Sequence, residues 1–170
     1  MRTLIVYASK HGTTADCAGQ LARQLDGESI LCRLGKDRVP EPGGFDRIVI
    51  GGSIHIGKIQ KQITEFAMKH KDALLAKPLG LFICCIADGE TAEQQLKKAF
   101  PACLLEHSSA KGVFGGAYKF SKMGWLNRKM IQMVEKQQTG QIIDTGKDVD
   151  KTRPEVITRF ASDMKSTFSA

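Results

Sequence analysis

Residues 5–14 read IVYASKHGTT, an apolar β-branched run that breaks into a turn rich in hydroxyl groups and glycine. The chain continues with apolar residues at helical spacing, through Ala18 to Leu21. A strand that passes into a helix through such a turn directs several backbone N–H groups at one point, and the helix dipole adds partial positive charge there. The stretch therefore predicts a loop that binds an anion, with a phosphate group as the expected ligand.

The rest of the chain alternates between strand-like and helix-like segments. Strand-like runs cover 4–7, 30–34, 45–50, 79–87 and 111–117, and Gly51-Gly52 is expected to end the third of them. Helical spacing covers 14–25, 60–75 and 91–105, with Thr91 as the cap of the third helix; a last helix follows a Thr152-x-x-Glu155 capping box. The alternation predicts an α/β domain with a parallel sheet.

About thirty residues interrupt this alternation before the last helix. This insertion covers about 118–151. It contains a predicted helix, and one face of that helix carries Leu126, Met130, Met133 and Val134, with cationic residues around them. The face near Trp125 is expected either to contact a substrate or a membrane surface, or to pack as an ordinary amphipathic helix. We expect residues 1–170 to form a single domain that carries this insertion.

Length, hydropathy and cysteine content favour an intracellular protein. No apolar run approaches the roughly 20 residues that cross a bilayer, and no signal-peptide pattern is present, so a cytoplasmic location is expected. The five cysteines form no CxxC pair, and Cys84-Cys85 lie inside an apolar run, where small core residues are the favoured interpretation over redox chemistry. No metal site is predicted.

The formal net charge of +7 favours anionic partners. Anionic lipid, a polycarboxylate and a phosphate ligand all fit a basic surface. Nucleic acid is disfavoured because the chain has no long Lys/Arg tract and no nucleic-acid motif with interleaved aromatic residues.

The motif Ile5-Val6-Tyr7-x-Ser9-x-x-Gly12-x-Thr14-x-x-x-Ala18-x-x-Leu21 resembles the flavodoxin signature at every defined position. The resemblance implies a flavodoxin-like fold: a doubly wound, five-stranded parallel sheet of order 2-1-3-4-5 with helices on both faces. It also implies that FMN is the cofactor. The residues that it assigns to the FMN phosphate are Ser9, Lys10, His11, Gly12, Thr13 and Thr14.

Two further loops at strand ends would then flank the flavin ring. They contain Ser53, Ile54, His55, Ile56, Gly57 and Lys58 in one loop, and Ala87, Asp88 and Gly89 in the other. Flavodoxins usually stack a Trp or Tyr on the ring, and neither loop has an aromatic Trp, Tyr or Phe. His55 is the one candidate catalytic residue, as a proton donor or substrate contact, and an ordinary exposed loop histidine is the alternative.

A second resemblance covers most of the chain. Ile50-Gly51-x-Ser53-Ile54-x-x-Gly57, with Trp125-x-x-Arg128-x-Met130-Ile131 in the insertion, is similar to the flavodoxin-like, menaquinone-dependent protoporphyrinogen oxidases of haem biosynthesis. This resemblance implies that FMN takes reducing equivalents from a reduced porphyrin and passes them to a quinone. Contact with an anionic membrane through Lys119–Lys136, peripheral and at the cytoplasmic face, is also expected.

The positive charge favours an oxidase over an electron carrier. A cation about 8 Å from the flavin contributes on the order of 2 kcal/mol at an effective dielectric of about 20, and it stabilises the reduced anionic ring. Lys58 and the basic insertion would therefore favour taking electrons from a substrate. A soluble flavodoxin-type carrier that acts on a protein partner is the alternative function, and a flavin-free binding module is a third.

Overall fold

A parallel sheet forms the centre of the larger of two compact units. The computed structural model describes residues 1–118, 120–139 and 142–166. The larger unit comprises Met1–Gly116 together with the residues from Thr152 onward, and the smaller unit comprises Ala117–Lys151.

The sheet has the strand order that the sequence predicts. Its strands are β1 (Arg2–Ala8), β2 (Glu28–Arg33), β3 (Arg47–His55), a short β4 (Lys58–Ile59), β5 (Leu79–Cys84) and β6 (Ala110–Val113). The parallel strands follow the order β2-β1-β3-β5-β6, and β4 pairs antiparallel with the end of β3. Without β4 this is the order 2-1-3-4-5, so the doubly wound topology is confirmed.

Helices cover both faces of the sheet. They are α1 (Thr13–Gln24), α2 (Lys61–Lys69), α3 (Lys71–Leu75), α4 (Gly89–Ala99), α5 (Ala102–His107) and, at the C-terminus, α7 (Pro154–Ser166). Alternate residues of each strand point to opposite faces. Leu4 and Val6 therefore pack in the cluster that contains α2 to α5, whereas Ile5 packs in the cluster that contains α1 and α7.

Gly51 and Gly52 lie inside β3, so the expectation that they end this strand is wrong. A Cβ atom on Gly51 would lie 2.1 Å from the ring of Phe82. The missing side chain makes room for that ring, which stacks on Phe114 with centroids 4.4 Å apart. The glycines therefore allow close packing, and β3 continues to His55.

Two predicted helices are each divided in the structure. The helix expected over 60–75 breaks at His70 into α2 and α3. The helix expected over 91–105 breaks before Pro101 into α4 and α5, because proline lacks the N–H group and its ring clashes with the preceding turn. Helix α4 begins at Gly89, ahead of the expected cap Thr91.

Other boundaries also differ from the sequence prediction. The fourth parallel strand ends at Cys84 and the fifth at Val113, short of the expected ends at 87 and 117. The last helix begins at Pro154, a favoured first helical residue, so Arg153 precedes it where the capping box predicts Thr152.

The five cysteines are free, and the expectation that Cys84 and Cys85 are core residues is confirmed. Cys84 and Cys85 are buried in the core, together with Cys17 and Cys32, and Cys103 is partly exposed.

The smaller unit has its own short sheet. Strands β7 (Ala117–Tyr118) and β8 (Val149–Asp150) pair antiparallel, and between them lie a 3₁₀ turn (Phe120–Lys122) and helix α6 (Trp125–Thr139). The Asp148 carboxylate accepts hydrogen bonds from the backbone N–H of Ser121 at 2.8 Å and from its hydroxyl at 2.7 Å. Among the described helices, none is both long and apolar enough to span a bilayer.

Candidate functional site

Three loops follow the carboxyl ends of adjacent strands in the larger unit. Register pairs Ala8 at the end of β1 with Gly52 in β3, and Ser53 with Cys84 at the end of β5. The chain passes from β1 to β2 on one side and then to β3 on the other, so the strand order reverses between β1 and β3. Open α/β sheets bind ligands in the crevice at such a reversal. The topology therefore brings all three predicted loops to one edge of the sheet.

The first loop, Ser9–Thr14, has donors that suit an anion. Gly12 precedes α1 with φ of 98°, a conformation that favours glycine, and its N–H donates to Ser9 Oγ at 3.2 Å. Within the described ranges, no side chain caps the helix. Thr13 Oγ1 is buried and has no hydrogen-bond partner in the described part of the chain.

A buried polar atom without a partner is costly, so its position here is informative. Thr13 occupies the first turn of a twelve-residue helix, where backbone N–H groups lack acceptors within the helix. A phosphate oxygen would accept from the hydroxyl of Thr13 and from these N–H groups together. The residues present therefore fit the phosphate of a flavin nucleotide.

The second loop is a tight β-hairpin that joins β3 to β4. His55 pairs with Lys58 across it, which leaves Ile56 and Gly57 as the two turn residues, with φ of 50° and 72°. Positive φ at both residues is what a type I′ turn requires. Isoleucine rarely adopts this conformation, and its side chain is 69% exposed. The hairpin therefore holds an apolar side chain at the surface in a strained backbone.

Gln60 joins the second loop to the end of β1, a role that the sequence does not reveal. Its Oε1 accepts from the backbone N–H of Ser53 at 2.7 Å, which makes Nε2 the donor side of the amide. Nε2 donates to Ser53 Oγ at 2.6 Å and to the Ala8 carbonyl at 3.3 Å. These bonds cross from β3 to β1, so nothing in the local sequence pattern could have predicted them.

The same network orients His55. Ser53 Oγ accepts from Gln60 and lies 2.9 Å from His55 Nε2, so its hydroxyl hydrogen is free to point at that nitrogen. In the neutral tautomer with its hydrogen on Nδ1, His55 Nε2 accepts this bond, and in the other tautomer Nε2 donates to Ser53 Oγ. In both tautomers the network holds the imidazole of the second loop in place.

His55 also approaches His11 of the first loop. Their ring centroids are 6.2 Å apart in an edge-to-face arrangement. Desolvation lowers the pKa of His55, and the positive charge of Lys10 and the proximity of His11 lower it further. Desolvation, followed by the charge of Lys10, likewise lowers the pKa of His11. Both shifts favour the neutral form of the ring in the cofactor-free protein.

The third loop, Ala87–Gly89, is tied to the start of the last helix. The Arg153 guanidinium donates to the Asp88 carboxylate, and the Arg153 backbone N–H donates to the Phe114 carbonyl at 2.9 Å. Gly89 begins α4 with φ of 55°. Arg153 is a residue that the sequence prediction missed, because it lies 65 positions from its partner.

A further cation supports the first loop from β2. The Arg33 guanidinium donates to the carbonyl of Ser9, directly after β1. Lys10 and Lys58 lie in predicted site loops, so these two loops carry further positive charge. This electrostatic environment favours an anionic ligand.

Comparison with known proteins agrees with this arrangement. The family model described as "Flavodoxin domain" matches residues 4–143. A protein of Escherichia coli K12 called "Protoporphyrinogen IX dehydrogenase [quinone]" is 28% identical over 96% of this chain and 94% of its own. A Leishmania major protein of the same name is 26% identical over 96% of this chain and 74% of its own.

A solved structure shares the fold. The Fusobacterium nucleatum flavodoxin bound to flavin mononucleotide superposes with a TM-score of 0.57 at 14% identity, covering 98% of each chain. The family match extends over most of the sequence and includes the loops at the end of β1, β3 and β5. The chain therefore belongs to the flavodoxin domain family.

Proposed function

We propose that this flavoprotein binds FMN and oxidises a reduced porphyrin, protoporphyrinogen IX, with a quinone as the final electron acceptor. The observation that carries the proposal is the near full-length similarity to the Escherichia coli protein, whose name states both the porphyrin and the quinone. That similarity extends through the smaller unit, which a five-stranded flavodoxin-like domain does not need.

The first loop would hold the FMN phosphate. Ser9 and Thr13 would supply hydroxyl groups, and Gly12 allows the backbone to turn into α1. The buried Thr14 side chain hydrogen-bonds Cys84 in the core, so Thr14 would contribute its backbone N–H instead. The loops 53–58 and 87–89 would flank the ring. When bound, the flavin supplies a centre that accepts electrons from the porphyrin and delivers them to the quinone.

His55 is the proposed proton acceptor. Oxidation of a reduced porphyrin releases protons as well as electrons, so a neutral base near the ring assists it. The lowered pKa of His55 favours the neutral ring, and in the tautomer with its hydrogen on Nδ1 a proton would reach Nε2 through the Ser53 hydroxyl, 2.9 Å away. Ser53 and Gln60 hold the imidazole in place during this transfer.

The experiment that tests the function is anaerobic flavin reduction. Protein reconstituted with FMN is mixed with protoporphyrinogen IX, and we expect the flavin absorbance near the visible maximum to bleach. Addition of a menaquinone analogue is then expected to restore it. As a control, flavin reduced chemically in the same protein must be reoxidised by the analogue without porphyrin.

Two outcomes would contradict the proposal. Flavin that stays oxidised with protoporphyrinogen, in a protein whose midpoint potential is as low as that of an acidic flavodoxin, would indicate an electron carrier. Protein that remains colourless after incubation with FMN would indicate a flavin-free binding module.

We also propose that α6 contacts an anionic membrane surface at the cytoplasmic face. Trp125, Leu126 and Met133 are 70%, 66% and 64% exposed, which supports a surface role over core packing. Lys129 lies over the Trp125 ring at 5.5 Å, so cationic and apolar groups share this surface. Lys119, the first residue of the predicted contact 119–136, lies outside the described residues.

Trp125 reports directly on this contact because the chain has one tryptophan. Its fluorescence is expected to shift to shorter wavelength with vesicles that contain phosphatidylglycerol, but not with vesicles of phosphatidylcholine alone. An unchanged spectrum with the anionic vesicles would contradict the membrane proposal and leave the proposed oxidase activity unaffected.

A further inference from the structure

A groove of about 540 Å³ lies at the outer edge of the sheet in the larger unit. It opens between α4 and α7, beside β6, which is the last strand in the sheet order. Apolar side chains line it, including Leu96, Leu105, Val113 and Val156. This volume falls in the range of pockets that hold small organic ligands, roughly 300–1,000 Å³.

The groove also carries more positive than negative charge. Four cationic side chains line it, Lys97, Lys111, Arg153 and Arg159, against two carboxylates, Glu93 and Glu106. Arg153 is engaged by Asp88, and Lys111 Nζ donates to the Leu105 carbonyl at 3.0 Å.

Lys97 and Arg159 are the available cations. In the described ranges neither forms an ion pair, and both side chains are exposed. They line the groove from different helices, Lys97 from α4 and Arg159 from α7. An apolar body with carboxylates at its periphery would therefore match both the lining and these two charges.

One end of the groove reaches the proposed flavin site. Gly89 lines the groove and also belongs to the third loop, 87–89. The ion pair between Asp88 and Arg153 lies at this boundary, since Arg153 lines the groove and Asp88 lies in the loop. A ligand in the groove would therefore extend along β6 from the edge of the ring site.

We infer that this groove binds the porphyrin substrate, with the macrocycle against the apolar lining and its carboxylates at Lys97 and Arg159. The inference rests on the proposed function. A quinone head group carries no charge, so it would leave these two cations unused. Addition of a strand from another chain is disfavoured because β6 presents Lys111, and a lysine on an edge strand opposes such pairing.

Charge reversal at Lys97 and Arg159 tests the inference. In K97E/R159E we expect the affinity for protoporphyrin IX, measured by fluorescence titration, to fall about tenfold or more, because two charge-assisted contacts become repulsive. The KM for protoporphyrinogen is expected to rise by a similar factor, with kcat at saturation and FMN binding unchanged.

A matched control separates the effect of charges in the groove from the effect of the protein's net charge. K98E/K165E makes the same total charge change on the same two helices, at exposed residues that do not line the groove. We expect this control to stay within about twofold of wild type. The neutral variant K97Q/R159Q is expected to show an intermediate loss, and it keeps the test decisive if charge reversal impairs folding.

The outcomes distinguish the groove from the function. If K97E/R159E and K97Q/R159Q turn over at the wild-type rate with an unchanged KM, the groove site is overturned and the function stays intact. The same conclusion follows if the control K98E/K165E loses as much affinity for protoporphyrin IX as K97E/R159E. If protoporphyrin binding depends on Lys97 and Arg159 but protoporphyrinogen does not reduce the flavin, the groove site is supported and the function is overturned. Absence of both binding and turnover overturns both.

Discussion

The loops that follow β1 and β3 are neighbours in the sheet, but they depend on different physical features. The first uses a strand–helix junction, with backbone N–H groups, a glycine and the Thr13 hydroxyl, which has no partner among the residues that the structure describes. The second is a hairpin with a strained Ile56, and a side-chain network from Gln60 supports it.

This difference separates cofactor retention from chemistry. The strand–helix junction offers affinity for any phosphate, because the donors are largely backbone groups. The hairpin presents side chains that one substitution can change without altering the topology. We therefore expect the first loop to determine whether a flavin nucleotide binds, and the second to determine what the bound flavin does.

The largest expected effect comes from Thr13→Val, which removes the unpartnered hydroxyl at constant shape. FMN affinity is expected to fall about 10- to 150-fold, in line with about 1.5–3 kcal/mol for a hydrogen bond to a charged group. Riboflavin, which lacks the phosphate, is expected to bind both proteins equally. Fluorescence quenching of each flavin measures these affinities.

Stability of the cofactor-free protein sharpens this prediction. Because Thr13 Oγ1 has no partner among the described residues, the valine variant is expected to unfold at the same urea concentration as wild type or a higher one. Thr64→Val, at an exposed position of α2, is the matched control and should leave FMN affinity unchanged. Equal loss of riboflavin and FMN affinity in T13V would refute the phosphate assignment.

The first loop was predictable from sequence because its determinants are adjacent in the chain. Hydroxyls, glycine and helical spacing all fall within residues 9–21, and the sheet order followed from the flavodoxin signature there. The contacts of Gln60 and Arg153 join residues 52 and 65 positions apart, which no local pattern encodes. The prediction that Gly51 ends β3 was wrong for the same reason, since the role of this glycine depends on Phe82 in another strand.

A moderate effect is expected from Ile56→Asn in the hairpin. Asparagine tolerates positive φ better than isoleucine, so the free energy of unfolding should rise by about 1 kcal/mol in urea titrations. Loss of an apolar contact with the ring is expected to lower FMN and riboflavin affinity by the same severalfold factor. This equality is the opposite of the T13V result.

Gly57→Ala provides the control for the hairpin. Its φ of 72° disfavours any side chain, so this variant should lose stability where I56N gains it. If I56N weakened FMN binding but left riboflavin binding intact, the hairpin would contact the phosphate, and the proposal that the first loop binds the phosphate and the second binds the ring would be contradicted.

The smallest expected effect is a pH dependence that involves both loops. Since the pKa of His55 is lowered from its ordinary value of 6.5, the unfolded chain binds more protons as the pH falls below that value. The free energy of unfolding of the cofactor-free protein should therefore decrease on acidification through this window. Urea titrations should show a weaker decrease in His55→Gln. Lys10→Met should act in the same direction, because the charge of Lys10 lowers the pKa of both histidines.

The two histidines also test which loop meets the phosphate. Their rings lie 6.2 Å apart, so each reports on its own loop within one small region. A bound phosphate stabilises a nearby imidazolium, and FMN should therefore raise the pKa of His11 more than that of His55, as followed by NMR titration of the ring protons. Riboflavin should produce no such difference. If FMN instead raised the pKa of His55 more, the phosphate would lie nearer the hairpin, and the roles assigned to the two loops would be reversed.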